Sequence, residues 1–81
     1  NKNNELLLIL KKARQEIASK NKIPAYIIFH DSTLQEISEL MPTSKNEFLS
    51  INGIGESKLE KYYDIFSTYI IDYKISKKLL N

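Results

Sequence analysis

Ala25-Tyr26-Ile27-Ile28-Phe29 is the one run in this chain with the β-branched and aromatic make-up of a buried strand, and no second run offers a convincing partner. A solitary strand would leave its backbone N–H and C=O groups unpaired beneath an apolar cover, which costs as much as the hydrogen bonds it lacks. The chain must therefore bury its apolar residues with helices. Residues 21–30 read as an ordered apolar connector, with one 3₁₀ turn, tucked under a helical bundle. Asn21 suits a helix C-cap before it, and Pro24 prevents easy continuation of the helix.

Helical periodicity accounts for the rest. From Glu5 to about Asn21, Leu6, Leu10, Ala13 and Ile17 fall within about 60° of one another at 100° per residue. Lys11, Gln15, Ser19 and Lys22 gather on the other side, with Lys12 at its margin. Leu8 lies toward that polar side and Ile9 flanks the apolar one, so the start of the helix is expected to touch a second element. Asp31 is the expected N-cap of a second helix carrying Leu34, Ile37, Ser38 and Met41, closed by Pro42. Thr43 or Ser44 caps a third, short helix. Ser44 and Glu47 have capping-box spacing, and Phe48, Leu49 and Ile51 supply its apolar contacts.

Both glycines fall in the turn Asn52-Gly53-Ile54-Gly55. Beyond it Leu59, Tyr62, Phe66, Tyr69 or Ile70, and Tyr73 continue one stripe. An unbroken helix of some 24 residues would run about 36 Å, longer than a small bundle needs, so a break is expected near Tyr63–Asp64. The predicted fold is all-α, a compact bundle of about five short helices in one domain over residues 1–81. Residues 1–4 and 76–81 are expected to be frayed ends or linker, and the start at Asn1 suggests a module of a larger protein.

Composition excludes several functions. With no cysteine and a single histidine, disulfide staples and zinc knuckles are ruled out, and no cofactor is expected. No apolar run approaches the roughly 18 residues of a membrane span, so a cytoplasmic parent is expected, associated with the nucleoid if bacterial or nuclear if eukaryotic. His30 is alone, with no Ser/His/Asp or Cys/His set to be assembled around it, and Glu36/Glu39 and Glu56/Glu60 stand at the spacing of a solvated helix face. No phosphate-binding glycine loop of the Walker or Rossmann kind is present. The domain is therefore expected to be non-catalytic and to hold no metal.

Charge is polarised. Residues 1–30 carry six basic and two acidic groups (+4), residues 31–72 three basic and eight acidic (−5), and Lys74, Lys77 and Lys78 bring the total to +2. Such a chain can build one basic face despite its near-neutral sum. Two features could use it. The turn Leu49-Ser50-Ile51-Asn52-Gly53-Ile54-Gly55 has the core pattern of a helix–hairpin–helix. Gly53 and Gly55 could bring bare amides near a phosphate, with Lys58 and Lys61 a turn later, although Glu56 competes for the same amides. Tyr26, beside Lys20 and Lys22, could stack on a splayed base while the lysines hold the backbone; core packing is the competing role for that ring.

In order along the chain, Leu10-Lys11-Lys12-Ala13-Arg14-Gln15-Glu16-Ile17-Ala18, Ile23-Pro24-Ala25-Tyr26-Ile27-Ile28-Phe29-His30-Asp31, Thr33-Leu34, Met41-Pro42-Thr43, Phe48-Leu49-Ser50-Ile51-Asn52-Gly53-Ile54-Gly55 and Lys58-Leu59-Glu60-Lys61-Tyr62 resemble the HRDC domain. This is the helicase-and-RNase-D C-terminal module of RecQ-type helicases, RNase D and related helicases, and the resemblance spans about residues 6–73. The chain differs from the family in Ala25, commonly proline, and in Tyr63, often a small residue between the last two helices.

The resemblance implies a SAM-like bundle serving as an auxiliary nucleic-acid-binding module. It implies Tyr26 as the stacking aromatic, Lys20 and Lys22 as phosphate partners, and His30, Ser32 and Thr33 as the edge of the site. Lys11 and Lys12 would add charge, and Gly53, Gly55, Lys58 and Lys61 a possible second contact. The expected partners are single-stranded or branched DNA, with RNA open, and the rest of a parent helicase, for a monomeric domain that touches no membrane. The alternative is a docking module whose acidic 31–72 half contacts a basic face of the parent, favoured if Tyr26 is buried and the lysines scatter.

Overall fold

The computed structural model describes residues 4–77. Five helices follow one another: α1 Asn4–Asn21, α2 Ala25–Ile28, α3 Asp31–Leu40, α4 Lys45–Leu49 and α5 Glu56–Ser76, with no strand among the described residues. The chain is all-α as predicted, but the five helices are partitioned differently. The connector contributes one as a single α-turn rather than a 3₁₀ turn, and the last segment contributes one instead of two.

α1 packs against α2, α3 and α5. With three neighbours its buried face is broad: Leu6, Leu10, Ala13 and also Ala18 are buried, with Leu7, Ile9 and Ile17 half-buried. Leu8 is uncovered at 67% exposure. The start of α1 does meet a second element, through the Glu5 carboxylate 2.9 Å from Lys77 Nζ at the end of α5. Asn21 is the last helical residue. The left-handed cap residue is Lys22 (φ 57°), with Lys22 N–H donating to Ser19 O (3.3 Å) and Ile23 N–H to Ala18 O (3.0 Å). That pair of bonds is a Schellman motif, closing the helix where glycine is the usual occupant.

Pro24, extended (φ −63°, ψ 146°), stands before α2 and accepts Ile27 N–H at 3.1 Å. The turn drives Ile28 and Phe29 into the core and leaves Tyr26 and Ile27 outside. At α3 the N-cap position is occupied by His30, and no side chain bonds the first amides. Asp31 is the first helical residue instead, its carboxylate drawn to Arg14 rather than to the backbone. α3 stops at Leu40. Met41 turns left-handed (φ 48°) ahead of Pro42, whose ring disfavours helical geometry in the preceding residue. α4 begins with the predicted capping box: Ser44 Oγ accepts Glu47 N–H (3.2 Å), and Glu47 Oε1 accepts the amides of Thr43 (3.0 Å) and Ser44 (3.1 Å). Phe48 and Ile51 are buried, whereas Leu49 lies at the surface.

The break expected near Tyr63–Asp64 is absent, for three reasons. No glycine or proline interrupts residues 56–76. The Asp64 carbonyl accepts the Ser67 and Thr68 hydroxyls from within the helix (3.3 and 2.7 Å), so Asp64 does not act as a new cap. Tyr63 is anchored sideways, its hydroxyl donating to Thr43 O (2.8 Å) and its ring edge-on to Phe48 (5.6 Å, 85°). Leu59, Phe66 and Ile70 then run one buried stripe along all of α5. Its 21 residues span about 31 Å. Residues 1–3 and 78–81 of the predicted ends lie outside the described residues; Asn4 and Ser76 are the terminal residues of α1 and α5.

Candidate nucleic-acid interface

Phe29 positions the connector. Its ring is 2% exposed and meets Phe66 (5.1 Å, 76°) and Tyr62 (5.6 Å, 67°) edge to face. Its carbonyl accepts Arg14 Nη1 from α1 at 2.8 Å. The same nitrogen lies 2.8 Å from Asp31 Oδ1, so one arginine ties α1 to the end of the connector and to the start of α3. The Arg14 side chain is 12% exposed, and its Nε is buried with no hydrogen-bond partner. Arg14 was not among the residues predicted for the site. Its signal was positional: four residues after Leu10, it lies about 40° from it on the apolar face, where a charge must find a partner.

Tyr26 stands out on this anchored base at 59% exposure, its ring 6.1 Å from that of His30 with planes 22° apart. His30, Ser32 and Lys22, within six residues of it in the chain, are exposed as well. Lys11, half-buried on α1, and His30 both act on Asp31, whose carboxyl is held below its ordinary range chiefly by the Arg14 hydrogen bond and charge.

The other predicted residues divide. Lys12 is exposed but lines a groove with Ile9, Ala13, Glu16 and Tyr69, on the α5 side of α1. Lys20 is exposed nine residues after Lys11, hence about 180° around the helix from it. The four N-terminal lysines therefore do not share one face. Thr33 is not at the surface: it is 4% exposed, and its hydroxyl donates to Asn52 O at 3.0 Å, pinning the interhelical turn.

That bond ties the start of α3, which directly follows the connector, to the hairpin turn, which the sequence left as a separate candidate. Gly53 adopts φ +93° against Thr33, whereas Gly55 precedes α5 in extended geometry with open space around it. Lys58, half-buried in the first turns of α5, places Nζ 5.9 Å from the Phe29 ring centroid. Tyr26, His30, Ser32 and Lys58 are thus mounted on one support, made of the connector, the start of α3 and the start of α5. Lys61 is exposed about 60° further round α5. Glu56, exposed in the first turn, sets a carboxylate beside the free amides there.

The depressed Asp31 carboxyl has a pH consequence. A group whose acidity is raised by folding contributes stability above its unfolded pKa and loses it as pH falls through the folded value. Asp31, starting from 3.8, should therefore lend support near neutrality that fades below about pH 4. Asp31→Asn should unfold at lower temperature than the unsubstituted chain at pH 7, with the gap narrowing as pH falls below about 4. An unchanged gap would mean that the Asp31 charge contributes nothing.

An exposed aromatic beside cations on a rigid base can stack on a base and hold phosphate, and comparison with known proteins supplies the context. The family profile described as the HRDC domain matches residues 3–70. The ATP-dependent DNA helicase RecQ of Haemophilus influenzae is 45% identical over 74 residues, covering 91% of this chain and 12% of the helicase. RecQ of Bacillus subtilis is 41% identical over 71 residues (88% of this chain, 12% of that protein). The ATP-dependent DNA helicase UvrD2 of Mycobacterium tuberculosis is 48% identical over 58 residues, covering 72% of this chain and 8% of the enzyme. The fold and these similarities together define the class: the chain belongs to the HRDC family, an auxiliary domain of RecQ-type helicases. It spans about 12% of the length of the RecQ relatives it matches.

Proposed function

We propose that this HRDC domain binds single-stranded or branched DNA weakly, steadying it beside the motor of an ATP-dependent helicase, and is itself non-catalytic. One observation carries the reading: Tyr26 is 59% exposed on a connector whose next buried residues, Ile28 and Phe29, are 0% and 2% exposed. An aromatic ring held out of the core by a rigid segment presents a free π-face. Tyr26 stacks on a base, and Lys22, Lys11 and Lys58 hold backbone phosphates around it. His30 and Ser32 border the site, with Lys20 at its margin and Lys61, Gly53 and Gly55 as a second contact. Two to four phosphate contacts give a shallow but measurable salt dependence. The helicase names of the relatives favour DNA over RNA.

The test is an NMR titration of the labelled domain with a short single-stranded DNA at two salt concentrations. Shifts centred on Lys22–Ser32, Lys11 and Lys58, with smaller ones at Lys20 and at Gly53, Gly55 and Lys61, weakening with salt, are expected; no shift at low salt would sink the reading. Tyr26→Ala should cost the roughly 1–3 kcal/mol of one base stack, at least about fivefold in affinity, with the melting temperature unchanged. Lys22→Gly separates binding from folding. Glycine relieves the left-handed strain at this position and should stabilise the domain by about 1 kcal/mol. Loss of the lysine should lower the salt slope by about one contact. A variant that is both more stable and equally salt-sensitive would remove Lys22 from the site.

A further inference from the structure

We propose that the outer face of α5 is a docking strip for a lysine- or arginine-bearing amphipathic helix of a protein partner. At 100° per residue, Ile71, Asp64, Ile75, Thr68, Lys61, Asp72 and Ile65 occupy one continuous arc about 120° wide. All are exposed, the three isoleucines at 36%, 59% and 42% for Ile71, Ile75 and Ile65. Isolated surface isoleucines are ordinary; three on one face of a single helix, each with more than a third of its surface open, form a contact surface. Asp64, Ile65, Thr68, Tyr69 and Asp72 line an open groove along it.

Charge selects the occupant. Asp64 and Asp72 have no ion-pair partner among the described residues, and Glu60 at the edge of the strip adds a third carboxylate. The one lysine in the arc, Lys61, stands at its N-terminal end. Lys77 is outside the arc and bonded to Glu5. Away from Lys61, the carboxylates of this face repel a nucleic acid or an anionic membrane. A helix with apolar residues along one side and cations flanking them meets both components. Asp64 and Asp72 are eight residues apart, about 12 Å along the axis, so the partner's cations should be spaced by about two turns. The Leu8–Lys12 side of α1 in a second copy would give a head-to-tail contact that does not close on itself.

The test uses two synthetic helical peptides with leucines at i, i+3, i+7 and i+10, one flanked by lysines and one by glutamates. The lysine peptide should shift resonances of residues 61–75 and bind at least about tenfold more tightly than the glutamate peptide. Asp64→Lys with Asp72→Lys should reverse the preference, and Ile71→Ser with Ile75→Ser should weaken both peptides without lowering the melting temperature. If the charge reversal perturbs the fold, Asp64→Asn with Asp72→Asn should abolish the discrimination instead. Equal binding of the two peptides, shifts centred on another face, or concentration-dependent self-association in sedimentation would overturn the proposal.

Discussion

Phe29→Ala should cost about 3–5 kcal/mol of stability, the range for emptying a buried aromatic site, and leave the domain largely unfolded at moderate temperature. The ring is 2% exposed, packs edge-on against Tyr62 and Phe66, and lies beneath the Lys58 ammonium. A small domain has a total stability near the lower end of 5–15 kcal/mol, so the loss consumes most of it. At roughly 4–8 °C per kcal/mol for this size, the midpoint should fall by at least about 12 °C in a calorimetric or circular-dichroism melt. Phe29→Leu retains much of the volume and should cost well under half as much. A Phe29→Ala midpoint within a few degrees of the unsubstituted chain would mean that the connector is not anchored by this ring. DNA binding should disappear with the fold in Phe29→Ala, in contrast to Tyr26→Ala, where binding alone is lost.

The second large effect is expected at Gly53. Its φ of +93° lies where side chains are disfavoured, and an added Cβ would overlap Thr33 Oγ1, the hydroxyl that bonds Asn52 O. Gly53→Ala should therefore combine backbone strain of about 1–3 kcal/mol with loss of the Thr33–Asn52 bond, worth about 0.5–1.5 kcal/mol. Gly55→Ala is the control: a Cβ there meets nothing within 4 Å, and the extended backbone accepts any residue. Chemical denaturation should show Gly53→Ala shifted far to lower denaturant and Gly55→Ala close to unchanged. Equal behaviour of the two would show that the turn tolerates a side chain at both positions.

Much of the architecture was legible because it rests on local rules. The Leu6–Leu10–Ala13–Ile17 spacing, the Ser44/Glu47 capping box and the glycine turn each depend on residues within a few positions of one another. The lone β-prone run excluded a sheet and so placed the connector between helices. The reading failed where a partner distant in sequence decides the outcome. Asp31 has the composition of an N-cap, but Arg14 from another helix takes its carboxylate. Asn21 has the composition of a C-terminal cap, but the left-handed residue is Lys22. Tyr63–Asp64 looked like a boundary, but contacts to Thr43 and Phe48 hold the helix straight through it.

The candidate site divides in the same way. The residue types, an aromatic and basic groups around residues 20–33 and a glycine turn with lysines after it, are written in the chain. Which of them stand together is not. Tyr26 is outside and Ile28 inside because the α-turn sets them about 200° apart, and Phe29 enters the core where the chain leaves that turn in extended geometry. Thr33 leaves the surface because Asn52 needs its hydroxyl, and Lys11 and Lys20 separate because nine residues of helix turn them half a revolution apart.

By itself the sequence determined that this protein is all-helical, because periodicity, caps and turn glycines act over a few residues, and its ordered motifs carried the resemblance to the HRDC domain. Only the tertiary structure decided that the connector and the hairpin turn form one support, and that α5 keeps an acidic, apolar outer face. Those outcomes depend on side-chain bonds across 15 to 20 residues of chain, such as Arg14 to Phe29 and Tyr63 to Thr43, and such bonds exist only once the core has closed.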